Sequence, residues 1–181
     1  MCGSFCTIQY SINEMSKLVE KGVDLLPIMS EAVYNTDTRF GKCEDIKNKV
    51  TEICKREIIH TIVEAEPLGP HIALDALIIC PCTGNTLAKL ACGITDTTVC
   101  MAAKAHLRCE RPLIIALASN DALSANLKNI ASLRDKKNIY FVPMKQDDAE
   151  RKPSSLIAKF GLLEKTLEYA FNNKQLQPFI E

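Results

Sequence analysis

Four short segments of this chain combine small polar side chains, glycine or both at places where a helix would begin. Residues of these types favour phosphate binding, because glycine lets the backbone come close and free N–H groups at a helix start attract an anion. The segments are Cys2–Thr7, Met29–Val33, Pro81–Thr86 and Ala118–Asp121.

The side chains that point to binding in these segments are hydroxyls and amides. An amide such as that of Asn120 offers both a donor and an acceptor. Any one segment is also explained as an ordinary helix cap, whereas four of them at one edge indicate a ligand that carries a phosphate. The spacing leaves the identity of that ligand open. The candidates are Gly3, Ser4, Ser30, Thr83, Asn85, Thr86 and Asn120.

The elements that must position these segments alternate between helix and strand. The runs 76–80 and 112–118 are apolar throughout, which is typical of strands buried on both faces of a parallel sheet. The sequence predicts an α/β fold with a doubly wound parallel sheet, formed by a single domain over 1–181. Helices are predicted over 5–21, 44–56, 84–92, 96–109, 121–134 and 154–172, and strands over 23–29, 58–63, 76–80, 112–118 and 139–142.

In a sheet of this kind, ligands bind at the carboxyl ends of the strands, where the four segments are predicted to lie. Such a sheet ordinarily opens with a strand, and Met1–Ser4 reads as the loop that follows one. Either the domain does without that strand or the strand lies upstream of residue 1. We favour the second interpretation, because the neighbours of a central strand need its backbone groups as partners.

The composition argues against several classes of function. There are 22 basic and 22 acidic residues and no tryptophan, so neither charge nor aromatic content indicates a nucleic-acid or membrane surface. No apolar run reaches the roughly 18 residues of a membrane span, and the start has no signal-peptide pattern, so we expect a cytoplasmic protein. The nine cysteines lack zinc-site spacing and are expected to be free, mostly buried thiols.

The segment after the first fully apolar run carries a resemblance. Residues 81–96, Pro-Cys-Thr-Gly-Asn-Thr-Leu-Ala-Lys-Leu-Ala-Cys-Gly-Ile-Thr-Asp, resemble the signature of the flavoprotein superfamily that includes flavin prenyltransferases and flavin-dependent cysteine decarboxylases. Within it, the chain resembles the family of dipicolinate synthase B subunits over nearly its whole length. The segments that carry this narrower resemblance are 35–41, 65–70, 138–143 and 174–178.

The resemblance implies a Rossmann-like fold and an FMN site. It also implies a part in the NAD(P)-linked oxidation of a dihydrodipicolinate-type precursor to dipicolinate during spore formation. NAD(P) would belong to the A subunit of that synthase, the expected partner, and the absence of a Gly-x-Gly-x-x-Gly motif here fits that division. Relatives with flavin sites at trimer interfaces imply a homo-oligomer, a trimer or a multiple of one.

The resemblance implies a position around the flavin for each candidate residue. Gly3 and Ser4 would meet its phosphate, with Ser30 nearby. The phosphate or the ring would be lined by Thr83, Asn85 and Thr86, and the isoalloxazine would be faced by Ser119 and Asn120.

Three basic residues are candidates for binding a substrate carboxylate. Lys104 and Arg108 lie one turn apart on a predicted helix, and Arg39 lies in a family-like loop. The alternatives are a solvated helix face for the pair and a surface ion pair or subunit contact for Arg39. His71, near Glu66, is a further candidate acid or base, although a lone loop histidine is more often without a catalytic role.

Three functions remain open. The first is an FMN-dependent redox subunit, and the second is a non-redox structural partner of the A subunit. The third, an FMN-dependent decarboxylase or prenyltransferase, is weakened because Ala118–Asp121 keeps only the asparagine of the decarboxylase Pro-x-Met-Asn segment. The sequence does not allow any residue to be assigned a catalytic role.

Overall fold

The computed structural model describes all residues from Met1 to Glu181. It is a mixed α/β structure in which helices cover a five-stranded sheet. The helices are α1 (Ile8–Glu20), α2 (Glu31–Asn35), α3 (Cys43–Cys54), α4 (Ile62–Ala65), α5 (Gly84–Cys92), α6 (Thr98–Leu107), α7 (Leu127–Arg134) and α8 (Leu163–Phe171). The strands are β1 (Leu77–Cys82), β2 (Leu113–Ser119), β3 (Ile139–Phe141), β4 (Met144–Asp148) and β5 (Lys152–Ala158).

Strand β2 is the centre of the sheet. It pairs in parallel with β1 on one edge and with β3 on the other, where Leu113 lies opposite Ile139. The end of β2 continues past β3 and pairs antiparallel with β5, which in turn forms a hairpin with β4. The first five residues of β2 are buried, as the uniformly apolar run predicts. The predicted parallel arrangement is therefore confirmed for β1, β2 and β3.

Two apolar layers hold the helices against the sheet. On one face, Leu77, Ile79 and Ile115 belong to the largest cluster of buried side chains, which also includes Leu87 of α5 and Val99 of α6. On the other face, Ile114 and Ala116 of β2 lie in a cluster with Leu18 of α1 and Leu163 of α8. Because neighbouring residues of β2 face opposite layers, both of its faces are covered.

Several helices begin and end where local signals predict. Thr83 caps α5 by accepting a hydrogen bond from the Thr86 N–H at 3.2 Å, and Gly93 ends it in the left-handed conformation with φ 70°. The predicted helix over 84–92 is confirmed at both ends. The helices predicted over 5–21, 44–56 and 96–109 are confirmed within a few residues, as are the strands over 76–80, 112–118 and 139–142.

Three predicted elements differ from the structure, because the local sequence pattern alone does not determine their secondary structure. Residues 23–29 and 58–63 form no strands, and a single parallel bridge joins Ile28 to Ile59. A capping box between Thr61 and Glu64 instead begins α4 inside the second range. The helix predicted over 121–134 begins only at Leu127, after a series of turns.

The last predicted helix, over 154–172, is wrong in its first half. Residues 152–158 form β5, because they pair with both β4 and the end of β2, and α8 begins only at Leu163. None of the helices is both long and apolar enough to cross a membrane.

Candidate functional site

The first two residues of the chain lie between the 28–30 segment and the end of β1. The Met1 amino group donates to the Ile28 carbonyl at 2.8 Å, and the Ser30 N–H donates to the Met1 carbonyl at 3.0 Å. On the other side, the Cys2 N–H donates to the Pro81 carbonyl at 3.0 Å. These bonds place the Gly3–Ser4 turn between two of the predicted binding segments.

The third segment is joined to the first by side chains. The Thr83 hydroxyl donates to the Thr86 hydroxyl at 3.1 Å, and the Thr86 hydroxyl donates to the Cys2 sulfur at 3.4 Å. Thr86 is buried, so this chain of hydroxyls fixes the start of α5 rather than facing solvent. The N-terminus of α5, which carries the positive end of the helix dipole, therefore lies beside the Gly3–Ser4 turn.

Gly84 brings the fourth segment against the third. A Cβ at Gly84 would lie 2.7 Å from Asn126 Nδ2 and 2.8 Å from Asp121 Oδ1, with Ser119 Oγ closer still. Only a residue without a side chain allows the end of β2 to approach α5 so closely.

A polar network stabilises the fourth segment. Asp121 accepts hydrogen bonds from the Ser119 hydroxyl and, at 2.9 Å, from Asn126 Nδ2. Asn129 Nδ2 donates to Asn126 Oδ1 at 2.8 Å. The hydrogen bond from Ser119, and then that from Asn126, lower the pKa of the Asp121 carboxyl, so it is ionised at neutral pH.

Ser30 carries a hydroxyl at this edge that has no partner. Its Oγ is buried and makes no hydrogen bond within the chain, although its N–H is bonded to Met1. A buried hydroxyl without a partner is costly, so a ligand oxygen that bonds to it would recover that free energy. Gly3 lies next to the same helix start, because a Cβ there would be 3.5 Å from Ala32 Cβ.

Asn85 and Asn120 project from the same edge. Both residues are exposed, and neither amide makes a hydrogen bond within the chain. Their donors and acceptors are free for a ligand. The structure thus brings together Gly3, Ser4, Ser30, Thr83, Asn85, Thr86, Ser119 and Asn120 at the carboxyl edge of the sheet.

The predicted substrate residues lie elsewhere. Lys104 and Arg108 are exposed at the end of α6, where His106 bonds to the carbonyl of Pro112 just before β2 begins. That is the amino edge of the sheet, opposite the binding segments. Arg39 is exposed, with its guanidinium 4.8 Å from the centre of the Phe40 ring.

The histidine and glutamate that flank the Pro/Gly loop also lie away from the site. His71 and Glu66 are exposed, and Gly69 between them packs on the Ala105 carbonyl near the end of α6. No group of three or more His, Cys, Asp or Glu side chains is arranged to hold a metal ion.

Sequence reasoning missed a second cluster beside Ser30. Glu31 accepts hydrogen bonds from the N–H and the hydroxyl of Thr98, at 2.9 and 2.8 Å, at the start of α6. Tyr34 stacks on His60 with ring centres 3.9 Å apart. Glu31 could have been identified from the sequence, because it directly follows the candidate Ser30. The stacking of Tyr34 on His60 could not, because it depends on contacts between distant parts of the chain.

The cysteines near the site are poor nucleophiles. Burial raises the pKa of Cys80 to about 11 and raises the pKa of Cys82 well above its ordinary value. Both thiols therefore stay protonated at neutral pH, and they act as packing groups rather than as nucleophiles.

Comparisons with known proteins agree with this fold. The sequence profile of the Flavoprotein family matches residues 1–161. The B subunit of dipicolinate synthase from Bacillus subtilis (strain 168) is 42% identical over 180 residues, covering 99% of this chain and 90% of that protein.

Solved structures extend the comparison. The crystal structure of the B subunit of dipicolinate synthase from Bacillus halodurans C superposes with a TM-score of 0.90 at 41% identity, covering 99% of this chain and 92% of that one. The FMN-dependent cysteine decarboxylase SpaF has the same fold, with a TM-score of 0.62 at 21% identity and 93% coverage of both chains. This chain therefore belongs to the flavoprotein family and groups within it with the B subunits of dipicolinate synthase.

Proposed function

We propose that this chain is the flavin-binding subunit of a dipicolinate synthase and that residues 1–181 act as one domain. It would take part in the NAD(P)-linked oxidation of a dihydrodipicolinate-type precursor to dipicolinate, in the cytoplasm of a spore-forming cell. The observation that carries the proposal is the buried, unpartnered Ser30 hydroxyl at an edge where three other glycine or hydroxyl segments meet.

The residues present fit an FMN phosphate. Ser30 Oγ has a free hydrogen to donate, and the Gly3–Ser4 turn lies beside it. The N-terminus of α5 favours negative charge, and no acidic residue lies in its first turn. We therefore assign the phosphate to Gly3, Ser4 and Ser30, with Thr83 near it.

The polar ring edge of the flavin fits the exposed amides. Asn85 and Asn120 each offer a donor and an acceptor without breaking any bond in the chain. Ser119 is held by Asp121 and would help to position Asn120. The chemistry that a bound FMN supplies is acceptance of a hydride as the substrate ring becomes aromatic.

NAD(P) would be bound by a partner of the A-subunit type, because this chain contains no Gly-rich dinucleotide motif. The site is also open to solvent at Asn85 and Asn120, which fits completion by a neighbouring chain. We propose a homo-oligomer, a trimer or a multiple of one, that associates with the A subunit.

The test is a visible absorption titration of the purified chain with FMN, comparing Ser30→Ala with the exposed control Ser132→Ala. Loss of one hydrogen bond to a charged group should weaken FMN binding by about tenfold or more. The unfolding midpoint of Ser30→Ala should not fall, because the hydroxyl has no partner in the chain.

Two results would count against the proposal. A chain that binds no FMN, alone or with the A subunit, would favour the non-redox structural role. Equal FMN affinities for Ser30→Ala and Ser132→Ala would remove Ser30 from the phosphate site.

A further inference from the structure

The Ser119 hydroxyl lies where the third and fourth segments of the candidate site touch. Ser119 Oγ is the atom that a Cβ at Gly84 would meet first, so this oxygen packs directly on the backbone at the start of α5. The residue after Gly84 is Asn85, and the residue after Ser119 is Asn120. Each of the two segments therefore places an exposed, unbonded amide next to this hydroxyl.

The single hydrogen of the Ser119 hydroxyl is already committed. Ser119 donates it to the Asp121 carboxyl group. The hydrogen bond from Ser119, and then that from Asn126, lower the pKa of Asp121, so the group is an ionised carboxylate that can only accept. What Ser119 Oγ can offer to a ligand is therefore a lone pair and not a hydrogen.

Two buried amides fix the direction of these hydrogen bonds. Asn126 Nδ2 donates to Asp121 Oδ2 at 2.9 Å, and Asn126 Oδ1 accepts from Asn129 Nδ2 at 2.8 Å. Asn126 and Asn129 are both buried, so neither can exchange a partner for water. Turning the Asn126 amide over would set like groups against each other at both ends, and position 121 must therefore present an acceptor to Asn126.

The resulting pattern of donors and acceptors matches the polar edge of a flavin ring. That edge presents the C2 carbonyl, the N3–H and the C4 carbonyl, which are an acceptor, a donor and an acceptor. The amides of Asn85 and Asn120 can supply the two donors, and Ser119 Oγ supplies the acceptor. A phosphate has only acceptors, so beside Ser119 it would meet a lone pair and the negative charge of Asp121.

We infer that Asp121 is a positioning residue of the flavin site, which holds the Ser119 hydroxyl as an acceptor for the N3–H of the flavin ring. The inference rests on the proposed function, because it concerns how the same site recognises its ligand. Asn85 and Asn120 would donate to the two carbonyls that flank N3. Asp121 itself acts only through Ser119.

The substitution Asp121→Asn should reverse the polarity of Ser119 while keeping the shape of the side chain at position 121. Because Asn126 must donate to that position, the oxygen of the introduced amide turns towards Asn126 and its nitrogen towards Ser119. Ser119 Oγ then accepts from the amide, and its own hydrogen turns towards the ligand. Two donors would face each other at N3, and the hydrogen bond to the ring would be lost.

The test compares the affinity for FMN with that for FMN methylated at N3, which has no hydrogen to donate there. Both ligands are titrated by visible absorption into the parent chain, Asp121→Asn, Ser119→Ala and the exposed control Asp135→Asn. The readout is the ratio of the two dissociation constants within each chain. A general loss of structure weakens both ligands alike and leaves this ratio unchanged.

We expect the parent chain and Asp135→Asn to bind FMN about tenfold or more tightly than the methylated ligand. In Asp121→Asn this ratio should fall by about threefold or more, because the N3–H no longer meets an acceptor. The methyl group needs the same room in both chains, so the change in the ratio reports on the hydrogen bond. Ser119→Ala removes the acceptor directly, so its ratio should fall even if Asp121→Asn does not fold.

An unchanged ratio in both Asp121→Asn and Ser119→Ala would overturn the inference. So would a fall in Ser119→Ala alone while Asp121→Asn is folded, because the acceptor would then not depend on the carboxylate. A parent chain that binds FMN and the methylated ligand equally well would overturn the inference and leave the proposed function standing. A parent chain that binds neither ligand would overturn both.

Discussion

Gly84 lies directly against Asp121, so that a Cβ at Gly84 would be 2.8 Å from the Asp121 Oδ1. This contact joins the start of α5 to the loop after β2. Because Asp121 also binds Ser119 and Asn126, the spacing between the two loops depends on the absence of a side chain at one position.

Gly84→Ala should therefore destabilise the chain by about 1–3 kcal/mol, since the methyl group must displace a hydrogen-bonded network. Gly161→Ala is the matched control, because nothing lies within 4 Å of a Cβ there. Urea unfolding of both variants checks the prediction. Equal urea midpoints for the two variants would show that the hydrogen bonds around Asp121 rearrange at no cost in stability.

The Asp121 carboxylate should make stability depend on pH. Its pKa is lowered in the folded chain, so its contribution is present above the unfolded pKa of about 3.9 and is lost as pH falls through the folded value. The difference in unfolding temperature between the parent chain and Asp121→Asn should be largest near neutral pH and should shrink below about pH 4. Asp135→Asn, at an exposed position, is the control. A difference that stays constant down to about pH 3 would contradict the assignment.

Asn85→Ala should abolish or strongly weaken FMN binding without unfolding the chain. The Asn85 side chain is exposed and makes no bond within the chain, so its removal costs the fold little. Asn48→Ala, at an exposed position of α3, serves as control, and FMN titration with thermal unfolding separates the two effects. If Asn85→Ala unfolds instead, the residue is structural and its place in the site is wrong.

Local signals predicted the elements that carry the site. The helix over 84–92 has its threonine cap and its terminal glycine within the sequence itself, and 113–119 is apolar at nearly every position. Because both signals are local, the edge formed by Thr83 and Ser119 could be placed from the sequence alone.

Elements that depend on distant partners were not predicted. Residues 152–158 form a strand because they pair with the end of β2, which lies far earlier in the chain. Residues 23–29 are apolar enough for a strand, but the Val23 N–H donates to the Leu18 carbonyl of α1, and the remaining backbone hydrogen bonds of the segment are confined to Pro27–Met29. Neither pairing is encoded in local periodicity, and the Asp121–Asn126 network likewise forms only when the turns before α7 close.

The position of Lys104 and Arg108 leads to a negative prediction. Both lie at the amino edge of the sheet, away from Asn85 and Asn120, so the double variant Lys104→Ala/Arg108→Ala should leave FMN affinity within about twofold of the parent chain. Turnover of the proposed complex with the A subunit should be equally unaffected by the double substitution. Arg39, in the loop that follows α2, is the remaining basic candidate, and Arg39→Ala tests it separately. A large loss of turnover in the double variant, with FMN binding intact, would mean that these residues act at an interface with the partner rather than on the substrate.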